Sequence, residues 1–313
     1  MDLTLALAEK IGSFSLLILL GFLAVRSGLM SYESSRALSR FGLYILTPCA
    51  MLDAFQYEFE AAKLQGMGLS MLACLIAAAV FALLTGLGKR LFHLNTIERL
   101  SLEYPNAGNL MIPLVAGSMG SEWVIYLCPC FFLFNLFMFT HGQSAMQGKR
   151  GFHLDMLLKN AVVLAMFLGL LFFLLDWQLP GLLGETVHSL ADMMGPTFMF
   201  TVGMILGHAN LRQVFAQRRA WGICAGRLLL YPAVTMLVLR LCPLQDLHPQ
   251  ATQILAIVCL ASGAPVAVTV TQFAQMYREE GEAIQASALN ILSTVLCLAT
   301  MPGVAWLYQR LFS

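Results

Sequence analysis

Ten apolar runs, separated by short polar connections, constrain this chain more than any other feature. They lie at approximately 7–26, 37–55, 65–88, 97–119, 122–142, 157–176, 184–207, 217–240, 250–276 and 284–309. Each is near the ~20 residues that carry a helix across a bilayer. In hydrocarbon every backbone N–H and C=O must be satisfied within the protein, so runs of this length are expected as helices. The chain is 59% hydrophobic and 11% charged, against roughly 25% charged residues in a soluble domain. The expected class is an all-α integral membrane protein in contact with the lipid bilayer. No extramembrane domain is expected, since the one polar stretch of any length runs from Gln143 to Lys159. A net charge of +1, with no basic patch interleaved with aromatics, leaves no nucleic-acid partner to expect.

Lysine and arginine set the expected orientation. Thirteen fall in the odd-numbered connections, and four (Lys10, Lys63, Arg240 and Arg310) at the termini and in the even-numbered ones. By the positive-inside rule both termini face away from the cytoplasm. The N-terminus carries Asp2 and Glu9 rather than a basic region, and Ala6-Leu7-Ala8 precedes the apolar run, so the first run is expected to be retained. The eight cysteines fall mostly within apolar runs and read as small hydrophobic residues. The Cys128-Pro129-Cys130 pair lacks a second ligand pair, and neither a metal nor a cofactor is expected.

The two halves resemble one another. Gly21 in span one and Gly169 in span six are 148 residues apart, as are Pro48 in span two and Pro196 in span seven. Pro113 and Pro265 in spans four and nine match at an offset of 152, and Asn135 and Asn290 in spans five and ten at 155. Five spans per half is an odd number, so the copies lie in opposite orientations, as in the inverted repeats of secondary transporters. The expected organisation is a five-helix repeat over 1–142, a cytoplasmic connection over 143–156 and a second five-helix repeat over 157–313.

Two of the ten transmembrane helices are expected to be broken. Span four carries Glu103-Tyr104-Pro105-Asn106-Ala107-Gly108-Asn109-Leu110-Met111-Ile112-Pro113, and span nine carries Ala261-Ser262-Gly263-Ala264-Pro265-Val266. Proline lacks the backbone donor and clashes with the preceding turn, and glycine costs backbone entropy. Interruptions at corresponding places in two repeats point to a transport site. The bland alternative is a pair of proline kinks in a passive bundle.

These residues resemble the auxin efflux carrier family of permeases, in its bacterial branch. The likeness rests on Pro105-Asn106-Ala107-Gly108-Asn109 followed by Pro113, and on Leu46-Thr47-Pro48 after the Arg26-Ser27-Gly28-Leu29 loop. It continues in Arg227-Leu228-Leu229-Leu230-Tyr231-Pro232, in Gly263-Ala264-Pro265, and in the tail from Ser293-Thr294 to Pro302. It covers essentially the whole chain, although each motif is short. The resemblance implies ten helices in inverted repeats, akin to the bile acid symporters, with spans four and nine crossing at unwound centres. It also implies movement of small organic anions by alternating access. The chain departs from the family pattern at Asn160-Ala161, where proline often follows the asparagine, and between Asn109 and Pro113, where a second glycine is missing.

Broken spans would bring half-helix N-termini to the bilayer centre, where N–H donors and a partial positive charge suit a carboxylate. Pro265 and Pro113 fit the first turn of such half-helices. Asn106 and Asn109 can hold an anion or tie off backbone groups. The candidate substrate-binding set is therefore Asn106, Gly108, Asn109, Pro113, Gly263, Pro265 and Arg227. Arg227 lies well inside span eight, where a charge needs a partner or a role. It either snorkels to the interface or pairs with Glu103, which has Arg99 on its own helix as the competing partner. Glu103 and Gln272 are the candidate coupling residues, and Thr269 and Thr271 would join Gln272 and Asn106 around a sodium ion. Asp53 and Asp192 read as interfacial carboxylates, and His141 and His153 as residues of the cytoplasmic connection without chemistry.

The expected function is a secondary transporter, or permease, for a small organic anion such as a carboxylate in the cell inner membrane. Proton coupling, sodium coupling and simple uniport are all open, and a homodimer is a candidate assembly. The alternatives are a sensor or membrane subunit of a larger complex, and a membrane-embedded enzyme. The last needs a nucleophile and base within the membrane, and no Gly-x-Ser-x-Gly stretch or midplane histidine is present, so no enzymatic activity is expected.

Overall fold

The computed structural model describes residues 3–56, 61–108, 110–149, 160–209, 212, 216 and 218–312, and among these the chain is helical without a strand. In the first half the helices are α1 (Leu3–Arg26), α2 (Tyr32–Phe41), α3 (Thr47–Asp53), α4 (Ala61–Phe92), α5 (Thr96–Glu103), α6 (Met111–Met119), α7 (Cys128–Phe137) and α8 (Gln143–Met146). In the second half they are α9 (Ala161–Leu174), α10 (Gly181–His208), α11 (Arg218–Ala225), α12 (Tyr231–Leu241), α13 (Ala251–Ser262), α14 (Val268–Tyr277) and α15 (Glu280–Phe312). Single turns of π-helix, Gly42–Leu46, Met138–Gly142 and Gly226–Leu230, join α2 to α3, α7 to α8 and α11 to α12.

Two of these π turns stand just before a proline, at Pro48 and Pro232. A proline ring within a helix clashes with the carbonyl four residues earlier, and the wider π turn moves that carbonyl aside. The Thr47 N–H and its hydroxyl (2.9 Å) both donate to the Gly42 carbonyl, and the Tyr231 N–H donates to that of Gly226. Both prolines are thus absorbed without ending the helix.

Five helices among the described residues are long and apolar enough to cross a membrane: Lys63–Phe92, Glu122–Met146, Gly181–His208, Arg218–Leu241 and Glu280–Phe312. Gly12–Arg26, Ala161–Leu174 and Ala251–Ser262 are shorter apolar helices. The runs around 97–119 and 250–276 are each divided in two by their proline and glycine residues. Leucines such as Leu16, Leu20, Leu83, Leu87 and Leu171 cover the outer faces, with Leu83 73% exposed. A patch of that extent is an aggregation liability in water and a matched surface in hydrocarbon.

The helices form two groups. In one, α1 lies along α10, and α9 and α10 lie along α3; in the other, α4 packs on α7, α12 and α13, while α15 packs on α12, α13 and α14. Glycine sets the closeness of the first group: a Cβ on Gly21 would overlap the Phe200 carbonyl oxygen, and one on Gly203 that of Ile18. Gly169, the sequence counterpart of Gly21, meets the Met51 carbonyl of α3 in the same manner, its added Cβ falling 3.1 Å from that oxygen. The groups meet through apolar packing, as of Leu206 of α10 on Ala288 of α15, and through polar contacts. The Ser39 hydroxyl donates to Gln272 Oε1 (2.5 Å), that of Tyr32 to Gln275 Oε1 (3.0 Å), and Gln275 Nε2 to the Ser35 hydroxyl (2.8 Å).

One cysteine reading is corrected. Cys74 on α4 and Cys130 on α7 face each other across a helix contact and are joined as a disulfide, whereas Cys128 and five others are free. The helix packing testifies to itself in one measurement. Gly203→Ala should lower stability in detergent by roughly 1–3 kcal/mol through overpacking. Gly68→Ala, whose added Cβ meets open space, should be neutral or gain up to about 1 kcal/mol of helix propensity. Thermal unfolding of the two variants decides it, and equal losses would contradict the close approach of α1 and α10.

Candidate functional site

The site begins with a helix that stops where its sequence requires. A capping box starts α5: the Glu98 N–H donates to Asn95 Oδ1 (2.8 Å) and the Asn95 N–H to Glu98 Oε2 (2.9 Å). Pro105 ends it, because the residue before a proline is driven to extended backbone, and Tyr104 sits at φ −111°, ψ 112°. On the other side Gly263 caps α13, and Ala267 is extended (φ −61°, ψ 128°) before α14 begins.

The two extended stretches meet. Pro105 lies opposite Val266 as an isolated antiparallel bridge, with the Asn106 N–H donating to the Pro265 carbonyl (2.8 Å) and the Ala267 N–H to the Tyr104 carbonyl (2.9 Å). Helix α15 supplies what remains: the Val266 N–H donates to the Ser293 hydroxyl (3.1 Å), and Asn290 Nδ2 donates to the Val266 carbonyl (2.9 Å). The two prolines have no N–H to satisfy. These bonds satisfy six backbone groups of the buried interruption.

Beside this junction lies a cavity of about 30 Å³, lined by Tyr104 to Gly108, Phe131, Phe134, Asn135, Met138, Met194 and Ala267 to Thr269. That holds about one water. The first turn of α14 forms one wall, bringing the positive end of its dipole to the cavity. Asn106 is buried within this lining. A Cβ on Gly108 would collide with the Phe131 ring, so only glycine lets that ring close the wall.

Of the residues singled out in the sequence, Asn106 and Gly108 line this cavity. Asn109 lies outside the described residues, as does His153. Pro113 is the third residue of α6. Gly263 is the C-cap of α13, and Pro265 accepts the Asn106 hydrogen bond from within the break. The expectation that Pro265 opens a half-helix is corrected: Ala267 is the N-cap, and Pro265 is held in the extended pairing two residues earlier. Gln272 is fully buried between the two helix groups, bonded to Ser39, with its Nε2 unpaired.

Arg227 neither snorkels nor pairs with Glu103 in this structure. It is fully buried in the Gly226–Leu230 π turn, its Nη2 donates to the Ser262 carbonyl (3.0 Å), and its guanidinium lies 4.8 Å from the Phe81 ring centroid. A cation there meets the negative end of the α13 dipole and an aromatic face. Its Nε and Nη1 have no partner. Glu103 instead places Oε1 3.7 Å from His141 Nδ1. Asp53 and Asp192 both approach His188, at 3.1 and 3.6 Å, on an exposed end of α10.

A family model described as membrane transport protein, that of the auxin efflux carriers, matches residues 9–152 and again residues 150–305. The chain belongs to this family. A search of curated proteins finds no match. Membership makes the protein a multi-pass membrane transporter, in agreement with its apolar, all-helical fold.

In this transporter several working residues escaped the sequence reading. Asn290 and Ser293 hold the second break, Asn135 lines the cavity beside Thr269, which the sequence had marked, and His141 joins Glu103 rather than floating in a connection. Asn135 and Asn290 were visible as repeat partners, yet their tasks differ. Asn290 donates across to Val266, whereas Asn135 donates to the Phe131 carbonyl of its own helix (2.7 Å). Asn290→Leu should therefore strand a buried carbonyl at a cost of about 1–3 kcal/mol. Asn135→Leu should cost clearly less, and thermal unfolding of the two purified variants checks the difference.

Proposed function

We propose that this transporter carries a small organic anion, a carboxylate, across the cell inner membrane by alternating access. The reading takes the chain as ten spans in two inverted five-helix repeats, with α5–α6 and α13–α14 as the broken fourth and ninth spans crossing at the bilayer centre. The observation that carries it is the hydrogen-bonded pairing of the two breaks beside a cavity walled by Asn106 and the first turn of α14. A helix N-terminus favours an anion, the Asn106 amide and Thr269 hydroxyl offer donors beside it, and Phe131 and Met138 give an apolar body its contact.

In this reading the positive-inside bias puts both termini outside the cytoplasm. Alternating access has a material basis in the two helix groups. The Ser39–Gln272 and Ser35–Gln275 bonds are exchangeable hydrogen bonds, and beside them apolar contacts such as Leu206 on Ala288 slide when one group shifts along the other. Arg227, Gly263, Pro265 and Pro113 frame the site: the guanidinium fixes the end of α13 and the glycine and prolines keep the break open.

Uptake of labelled monocarboxylates, dicarboxylates and aromatic acids into proteoliposomes, with and without sodium and at two pH values, tests the proposal. Asn106→Ala should weaken the apparent affinity for the transported acid by roughly 10–100-fold, the worth of one hydrogen bond to a charged group, with unfolding temperature retained. Unchanged kinetics in that variant would overturn the site. Failure of the wild type to move any acid of the panel would overturn the substrate class.

A further inference from the structure

A titratable cluster stands beside the cavity and has no part in the reading above. Tyr104, the residue at which α5 ends, lines the cavity, and its hydroxyl bonds His141 Nδ1 at 2.8 Å, with the Phe137 carbonyl a second acceptor at 3.3 Å. Glu103, its chain neighbour, approaches the same nitrogen at 3.7 Å. Exposure falls along this row: the His141 side chain is 45% exposed, that of Glu103 15%, and Tyr104 is buried. The π turn Met138–Gly142, near the end of its span, produces the arrangement, since Met138 lines the cavity while His141, three residues on, is half exposed. The cluster thus has one exposed end and the other at the cavity.

The other charged and titratable groups around it are few. Arg99 lies one turn before Glu103 on α5, and Tyr231 of α12 is near enough to feel the Glu103 charge. From α14, Tyr277 and Arg278 reach the following turn, where Gln143 donates to the Tyr277 hydroxyl (3.0 Å) and Arg278 to the Ala145 carbonyl (2.8 Å).

We propose that Glu103, Tyr104 and His141 form the proton site of this transporter, and that one proton is loaded with each substrate anion. The proposal rests on the carboxylate reading. The imidazole Nδ1 takes a proton from water and becomes an imidazolium facing the Glu103 carboxylate. A protonated Nδ1 no longer accepts from Tyr104, so the hydroxyl turns to the Phe137 carbonyl or to a carboxylate in the cavity. No bond other than the transferred N–H is made or broken. The proton cancels the single charge that the carboxylate brings, and a loaded site without added charge crosses the hydrocarbon at lower cost. Histidine suits the task because its protonation changes near neutral pH.

The test uses the full chain in proteoliposomes, with the membrane potential clamped at zero by potassium and valinomycin and with protein-free vesicles as the blank. For an acid that the wild type exchanges, an inward gradient of one pH unit should drive about tenfold accumulation, since tenfold is the equivalent of 1.4 kcal/mol. In His141→Gln and Glu103→Gln, label should still equilibrate, more slowly, and accumulation should be lost. Absence of gradient-driven accumulation in the wild type, or its persistence in His141→Gln, overturns the proposal. A second measurement needs no substrate: in protein labelled with ¹⁵N-histidine, the resonance missing from His141→Gln is that of His141, and its titration should shift in Glu103→Gln. An unshifted titration overturns the cluster, whereas failure of every acid to exchange counts against the carboxylate reading alone.

Discussion

Two backbone hydrogen bonds, from Asn106 to Pro265 and from Ala267 to Tyr104, are the contact on which the rest of the structure depends. A helix interrupted in hydrocarbon leaves donors and acceptors that water cannot reach, each costing several kcal/mol. Neither break is tenable by itself. Paired, they satisfy one another as a fragment of antiparallel sheet, and Asn290 and Ser293 take up the groups left over. Arg227 does the same for the last carbonyl of α13. The four half-helices are consequently tied at one point, and α15 is bound to that point by its polar side chains.

This tie is what makes the junction the proposed site. Breaking a helix exposes its dipole end, and pairing two broken helices brings such an end beside side chains from the opposite half. Asn106 and Gly108 come from one break and the first turn of α14 from the other. The same geometry brings the residues at the end of α5 against the π turn after α7, so Tyr104 touches both the cavity and His141. An uninterrupted helix would have buried Tyr104 against its neighbours with no polar path past it.

How much of this was legible in the sequence follows from what is local. Helix interruption at Pro105 and at Gly263-Ala264-Pro265 was readable because proline and glycine act on their own backbone. The matched glycines were readable as a pattern, and Gly21 and Gly169 do occupy similar close crossings. The partner of a charged side chain was not readable. Arg227 found a carbonyl and a ring where Glu103 had been expected, and Glu103 found a histidine that chain position had assigned to a connection. Nor was the Cys74–Cys130 bond readable, since it depends on how α4 and α7 face one another.

The sequence by itself determined that this is a helical membrane protein, that it belongs among the transporters, and where two of its helices must fail. The first and the last are consequences of hydropathy, periodicity and the covalent geometry of single residues, and the second rests on the family match. Only the tertiary structure decided that the two failures repair one another, and that Asn290, Ser293 and Arg227 hold them open. It also decided that His141 stands against Tyr104 and Glu103. The reason is physical: a buried polar group takes whichever partner lies within about 3 Å in the right direction, and that choice is made by how separate helices pack, not by the chain next to the group.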